Sequence, residues 1–193
     1  MRTAVKPMSV AVRGVMCIIH AVRNWQALSP TSPREASMAK SAVEKLRTPQ
    51  QAKIVQPLPP RVAHWGPPGA SMVIPAPAEV DALVARIPKG MLATLATLRQ
   101  SLAAQHGATI ACPVTTGIFM GLVARAAEER EMMGARRVTP WWRVLKTDGQ
   151  LNPRMPGGLA EHRRRLEAEG FAIVKAGRSG LMVESFEQRL ARL

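Results

Sequence analysis

The chain has 193 residues, enough for one domain of average size with an extension, and carries 27 lysines and arginines against 13 aspartates and glutamates. The formal charge of +14 favours a polyanionic partner, nucleic acid first among them. Cys17 and Cys112 lie far apart in unlike contexts, and His20, His64, His106 and His162 show no metal-ligand spacing, so no disulfide framework, metal or cofactor is assigned.

No run approaches the roughly 18 apolar residues of a membrane span, and the sparse cysteines fit a reducing cytoplasm, on the nucleoid if the source is bacterial. Residues 1–37 hold five basic residues (Arg2, Lys6, Arg13, Arg23 and Arg34), one acid (Glu35) and an apolar patch from Val15 to Val22. The patch is short, contains His20 and lacks a small-residue cleavage site. It reads as a disordered extension, with Met38 as an alternative start.

Half of the 16 prolines fall between Pro49 and Pro77, so residues 38–76 read as an extended arm with a short strand at Ser71–Ile74. Trp65 is the arm's anchor against the domain that begins at residue 77. Regular periodicity begins at Glu79–Ile87, where Val80, Leu83, Val84 and Ile87 recur at helical spacing and Pro88 enforces the stop. Thr94 is the N-cap of a second helix with the stripe Leu95, Leu98 and Leu102, ended by Gly107. Pro113 opens a third, apolar on the Ile118, Leu122 and Ala126 face, which Gly134 closes.

Trp142–Leu145 reads as a strand, and Thr147-Asp148-Gly149-Gln150 carries the Asp-Gly signal of a tight hairpin. Helix, helix and hairpin outline a winged helix. A further helix spans Gly158–Glu169, capped by Gly170; two strands come next within Ala172–Val183, and a short helix ends the chain at Phe186–Leu193. The fold class is therefore α+β, a winged-helix-like DNA-binding domain over residues 77–193 with an extended N-terminal arm.

Three segments carry a resemblance. Ile87-Pro88-Lys89-Gly90 with Leu92 and Thr94, Pro140-Trp141-Trp142-Arg143-Val144, and Gly157-Gly158-Leu159 with Leu166, Glu169 and Gly170 resemble, in order, the DNA-binding domain of the methylated-DNA-protein-cysteine methyltransferases and the alkyltransferase-like proteins. The second segment stands where those alkyltransferases carry Pro-Cys-His-Arg-Val. Trp141 replaces the cysteine nucleophile and Trp142 the histidine of its relay, and indole supplies no comparable nucleophile, so the resemblance implies no alkyl transfer. Tryptophan for cysteine resembles the alkyltransferase-like DNA-lesion sensors, although those keep the histidine.

Other departures concern the DNA contacts. Leu95 stands where the family has a tyrosine, and Gly117 where it has the arginine that fills the gap left by an extruded base. Between Gly117 and Pro140 lies an insertion carrying Glu128, Glu129, Glu131, Arg136 and Arg137. Thr115 and Thr116 can donate to phosphate oxygens and Gly117 lets its helix approach DNA closely; the resemblance adds Thr94 and Arg143 as DNA-contacting residues, and Trp141, Trp142, Gly157 and Gly158 as a lesion pocket. Strand alternation turns one tryptophan in and one out, and the resemblance favours Trp141 at the pocket. Arg163, Arg164 and Arg165 form a solvated face, and Cys112 is a small buried thiol.

The implied partners are double-stranded DNA, alkylated duplex included, and a repair protein, with the chain acting as a monomer away from any membrane. Two other functions stay open: a winged-helix protein-interaction module without lesion recognition, and true alkyl transfer through Cys112.

Overall fold

The proline-rich stretch is woven into the sheet rather than trailing from it. A computed structural model describes residues 40–193, which form one compact unit; the extension expected over 1–37, with its apolar patch and Met38, lies outside the described residues. The order is α1 (Ala42–Arg47), β1 (Lys53–Val55), a 3₁₀ turn (Pro60–Trp65), β2 (Met72–Ile74), α2 (Pro77–Ala85), β3 (Ala93–Thr94), α3 (Leu95–Gln105), β4 (Ile110–Ala111) and α4 (Pro113–Met132). A 3₁₀ turn over Trp141–Arg143 leads into β5 (Val144–Leu145), α5 (Gly158–Glu167), β6 (Ile173–Ala176), β7 (Gly180–Val183) and a last 3₁₀ turn over Phe186–Arg189. The architecture is mixed α+β.

The boundary expected at residue 77 is not a boundary of the fold. Strand β2 lies between β1, to which it is antiparallel, and β4, to which it is parallel in the register Met72–Ile110 and Val73–Ala111. Helix α1 buries Ala42, Val43 and Leu46 in the main core. Its N-terminus is held from the expected insertion: the Glu129 carboxylate accepts the Ala42 and Val43 N–H groups at 2.8 and 2.9 Å. These two bonds hold the Glu129 carboxyl below its usual pKa. Trp65 packs against a small cluster of Leu58, Ala70 and Met72, all of its own segment, and Cys112, a buried thiol, so it anchors only in part to the residues beyond 77.

The helices start and stop where local chemistry demands. Thr94 caps α3 by accepting the Thr97 N–H at 3.1 Å, Pro113 occupies the first turn of α4, and Gly107, Gly134 and Gly170 take positive φ just past their helices. Along α4 the apolar face is rotated from expectation. Thr116, Met120, Val123, Ala124 and Ala127 are buried together with Leu122 and Ala126, whereas Ile118 is 58% exposed. The reason is tertiary: α1, α2 and α3 all pack against α4 and together enclose most of it, leaving one narrow outward strip.

Two further expectations are corrected. Trp141 and Trp142 lie in a 3₁₀ turn, so strand alternation does not govern them, and only Val144 and Leu145 are extended, pairing parallel with Ala93 and Thr94. The Asp-Gly turn forms, with the Lys146 N–H donating to the Gln150 carbonyl at 2.9 Å. Beyond it the chain does not return to pair with β5 but meets β7, through the antiparallel bridge Gln150–Met182 and the Leu151 N–H donating to the Leu181 carbonyl at 2.8 Å. The hairpin of this region is β6–β7.

One ion pair joins the segments that no strand connects. Arg143 is paired with Glu169 at 2.8 Å, with side chains only 13% and 8% exposed, and its Nη1 donates to the Ile87 carbonyl at 2.6 Å. Glu169 also accepts Trp142 Nε1–H at 2.8 Å and the Gly90 N–H at 3.4 Å. Removing one partner leaves the other charge buried, so Arg143→Ala should lower the unfolding free energy by about 3–5 kcal/mol in denaturant titration. A loss under about 1 kcal/mol would show that solvent reaches and satisfies Glu169.

Candidate nucleic-acid interface

The outward strip of α4 carries two glycines and no acid. Val114, Gly117, Ile118, Gly121 and Arg125 recur at helical spacing, and no atom lies within 4 Å of the position a Cβ would take at Gly117. Val114 and Ile118 are 55% and 58% exposed. Facing the strip is the loop Asn152–Met155, and the two walls enclose an open groove of about 750 Å³ that Leu95 and Lys146 also line.

The loop wall is held from beneath. Asn152 Oδ1 accepts the Arg154 N–H at 3.0 Å, and the Asn152 N–H donates to Nδ1 of the buried His162 at 3.3 Å. Since Nδ1 accepts, Nε2 carries the proton and donates to the Trp142 carbonyl at 2.8 Å, which makes this imidazole neutral. Burial pushes the His162 pKa below its ordinary value. Gly157 and Gly158, at φ 69° and 64°, turn the chain from the loop into α5, and a Cβ at Gly157 would collide with Glu161.

On one side of the loop, Lys146 and Pro153 also line a second cavity of about 440 Å³ with Arg178 at its rim. On the other side, Pro113 is shared with a third, of about 290 Å³, lined by Trp65 and Arg99. The three linings contain Arg99, Arg125, Lys146, Arg154 and Arg178 and not one carboxylate. Among the described residues, Lys146 alone of these five has an acidic partner, the exposed Asp148 at 3.6 Å.

Most carboxylates are engaged elsewhere. On α5, Glu161 accepts from Arg164 and Arg165 at 2.6 to 2.7 Å, and Glu167 accepts from Arg163 at 2.7 Å. Arg165 also reaches Glu131 of the insertion at 2.6 Å and is drawn inward, whereas Arg163 and Arg164 stay exposed, as expected of a solvated face. The hydrogen bond from Arg164 is the main reason the Glu161 pKa falls to about 2. Asp81 takes Arg130 and Thr139 at 3.3 and 2.6 Å.

Of the nine residues that the sequence nominates, only Gly117 lines the groove. Trp141 is 1% exposed in the main core, edge-on to Trp142 and His162 with ring centroids 6.1 and 5.4 Å away, and the Arg165 guanidinium lies over both indoles. A base cannot stack on it without unpacking the core, so the pocket assignment is corrected. Trp142 is half-buried and spends its N–H on Glu169, while Arg143 is consumed by the same carboxylate. Thr94 and Thr116 are buried, the first as a helix cap and the second donating to the Cys112 carbonyl at 2.8 Å; Thr115, half-buried, also points its hydroxyl at that carbonyl. Gly157 and Gly158 shape the turn rather than a pocket wall.

Arg125, Lys146, Arg154 and Arg178 are, besides Arg99 on α3, the basic lining residues that sequence reasoning missed. Arg125 was accessible to it, being eight residues after Gly117 and so on the same helix face. The others sit on turns whose orientation only packing decides. No cluster of metal-ligating side chains occurs among the described residues, and no described helix is long and apolar enough to cross a membrane.

No protein-family model matches the chain, and no curated protein does. Among solved structures, the chain is similar to S. pombe Atl1 in complex with damaged DNA containing O6-carboxymethylguanine, at 19% identity and a TM-score of 0.43. It is also similar to S. pombe ATL in complex with DNA, at 18% identity and a TM-score of 0.44. Each alignment covers 61% of this chain and 94% of the other.

The buried turn has two measurable consequences. Trp141→Ala should destabilise the domain by about 3–5 kcal/mol in thermal or denaturant unfolding, as deletion of a large core ring does. Trp141→Phe should cost less, because the indole N–H has no partner to lose. Equal losses for the two would show that the ring's volume is not what matters.

For His162 the unfolded chain binds the proton more readily than the folded one, so stability should rise with pH through the window below about 6.5 and level off above it. The carboxylates with lowered pKa, Glu129, Glu131, Glu161 and Glu169, contribute stability above about 4.5 that is lost on further acidification. His162→Gln, neutral at every pH, should abolish the upper slope and leave the lower one. A melting temperature that still climbs between pH 5 and 6.5 in that variant would refute the assignment.

Proposed function

We propose that the chain is a non-enzymatic DNA-binding protein that engages duplex DNA through the groove between α4 and the Asn152–Met155 loop and marks alkylated guanine for repair. The observation that carries this reading is the sign of the groove and its two adjoining cavities: five basic side chains line them and no acid does. A polyanion whose phosphates meet such a surface releases its condensed counterions to solution and gains affinity without any base contact. Leu95, Ile118 and Met155 add apolar wall to the groove, suited to an alkylated base or a thymine methyl.

The sequence resemblance to alkyltransferase-like lesion sensors supports the choice of alkylated guanine. Chemistry on the alkyl group has no support. The acceptor position is a buried indole, Glu169 is committed to Arg143 and Trp142, and Cys112 lies buried at the start of α4. We place the protein in the cytoplasm, acting as a monomer and passing the lesion to a repair protein.

A second reading, a protein-interaction module, is favoured by the exposed Val114 and Ile118, which could seat an apolar partner side chain. Salt separates the two. Duplex affinity should fall steeply with added salt, by about 0.9 in log K per log salt for each phosphate engaged, and Arg125→Ala, Lys146→Ala and Arg154→Ala should each reduce that slope by about 1. Affinity indifferent to salt and to these variants would leave the interaction module. Equal affinity for alkylated and unmodified duplex would keep a general DNA-binding protein and discard the sensor.

A further inference from the structure

The cavity beside the groove has a composition of its own. Ala96, Arg99, Gln100 and Ala103, one face of α3 at i, i+3, i+4 and i+7, form one wall; Thr109, Ile110, Ala111 and Pro113 form the floor, and Trp65 closes the side. At about 290 Å³ it is at the small end of ligand cavities. The two alanines leave room for a flat group against the helix, Gln100 brings an amide that both donates and accepts, and Arg99 has no carboxylate partner among the described residues.

Trp65 is placed there with some care. Its 3₁₀ turn lies between Pro59-Pro60 and Pro67-Pro68, and Gly66 packs so tightly that a Cβ on it would lie 2.9 Å from Ala70 Cβ and 3.3 Å from Leu58 Cδ1. The turn is thereby seated on the buried cluster of Leu58, Ala70, Met72 and Cys112, and the indole, half-buried, stands at the cavity's edge. His64 meets it edge-on with centroids 5.9 Å apart.

We propose that this cavity is a second nucleotide subsite, in which a base of a single-stranded DNA segment flanking the duplex stacks on Trp65 while Arg99 takes its phosphate and Gln100 its edge. The choice of occupant rests on continuity and charge. Pro113 lines both the cavity and the groove, and the neighbours Leu95 and Ala96 line one each, so a single ridge at the start of α3 and α4 separates them. A strand leaving the basic groove over that ridge arrives at an aromatic face and a guanidinium, the pairing that holds single strands without reading their sequence. The duplex reading of the groove is presupposed here, and the test separates the two.

Full-length protein is titrated with a blunt duplex and with the same duplex bearing a DNA overhang of about four nucleotides, the smallest single-strand site size. One stacked base should make the overhang duplex bind roughly 5- to 150-fold tighter and quench tryptophan fluorescence. Trp65→Ala should erase most of that gain and leave blunt-duplex affinity within about twofold, Arg99→Ala should weaken the overhang duplex more than the blunt one, and Trp65→Phe, which keeps a ring, should retain part of the gain and lose the quenching. Overhang and blunt duplex bound alike, or a gain that survives Trp65→Ala, would overturn the subsite and leave the groove standing. No binding of either would overturn both. A free deoxynucleoside monophosphate that competes as well as the overhang would overturn the strand as occupant, and an RNA overhang bound more tightly than DNA would overturn the choice of DNA.

Discussion

The organisation of the domain rests on the buried Glu169 carboxylate. It draws Arg143 and Trp142 from the 3₁₀ turn and Gly90 from the loop before β3, and Arg143 in turn holds the Ile87 carbonyl at the end of α2. Burial alone would raise the pKa of this carboxyl, and the hydrogen bonds from Arg143 and Trp142 outweigh it, so the group stays charged and its pKa is lowered. The energetic consequence is asymmetric. Such a cluster contributes little net stability over an apolar replacement, yet any missing member strands a charge, which makes it a device for holding one arrangement of α2, the turn and α5.

The turn so fixed sets the floor of the groove at one remove. Trp142 offers its carbonyl to His162, and His162 takes the Asn152 N–H, which begins the loop opposite α4. Trp141 beneath fills the space between His162, Trp142 and Arg165. The two tryptophans are therefore infrastructure for a surface they do not themselves form.

The same logic distributes charge. Glu129 caps α1, Glu131 and Glu161 hold Arg165, Asp81 holds Arg130, and Glu169 holds Arg143, so the minority of acids is engaged by partners on the domain's own framework. Five basic side chains remain on the groove and its neighbouring cavities with no acid in their linings. The proline-rich segment completes that surface by carrying Trp65 to the edge of α3, which is why its inclusion in the sheet matters for function as well as for packing.

What the sequence determined by itself was local. Helix caps at Thr94 and Pro113, glycine stops at Gly107, Gly134 and Gly170, the Asp-Gly turn and the strand before Pro75 all depend on backbone geometry within a few residues, and each is found where the pattern places it. The mixed α+β class and the internal position of Cys112 were legible for the same reason. What only tertiary structure decided was which face looks where: Ile118 outward rather than inward, Trp141 in the core rather than at a pocket, Arg165 drawn onto Glu131 while Arg163 and Arg164 stay exposed, and β5 paired parallel with β3. Those outcomes depend on partners distant in sequence, α1 on α4, Glu131 on Arg165, Ala93 on Val144, and a one-dimensional pattern carries no information on which of several compatible neighbours will arrive.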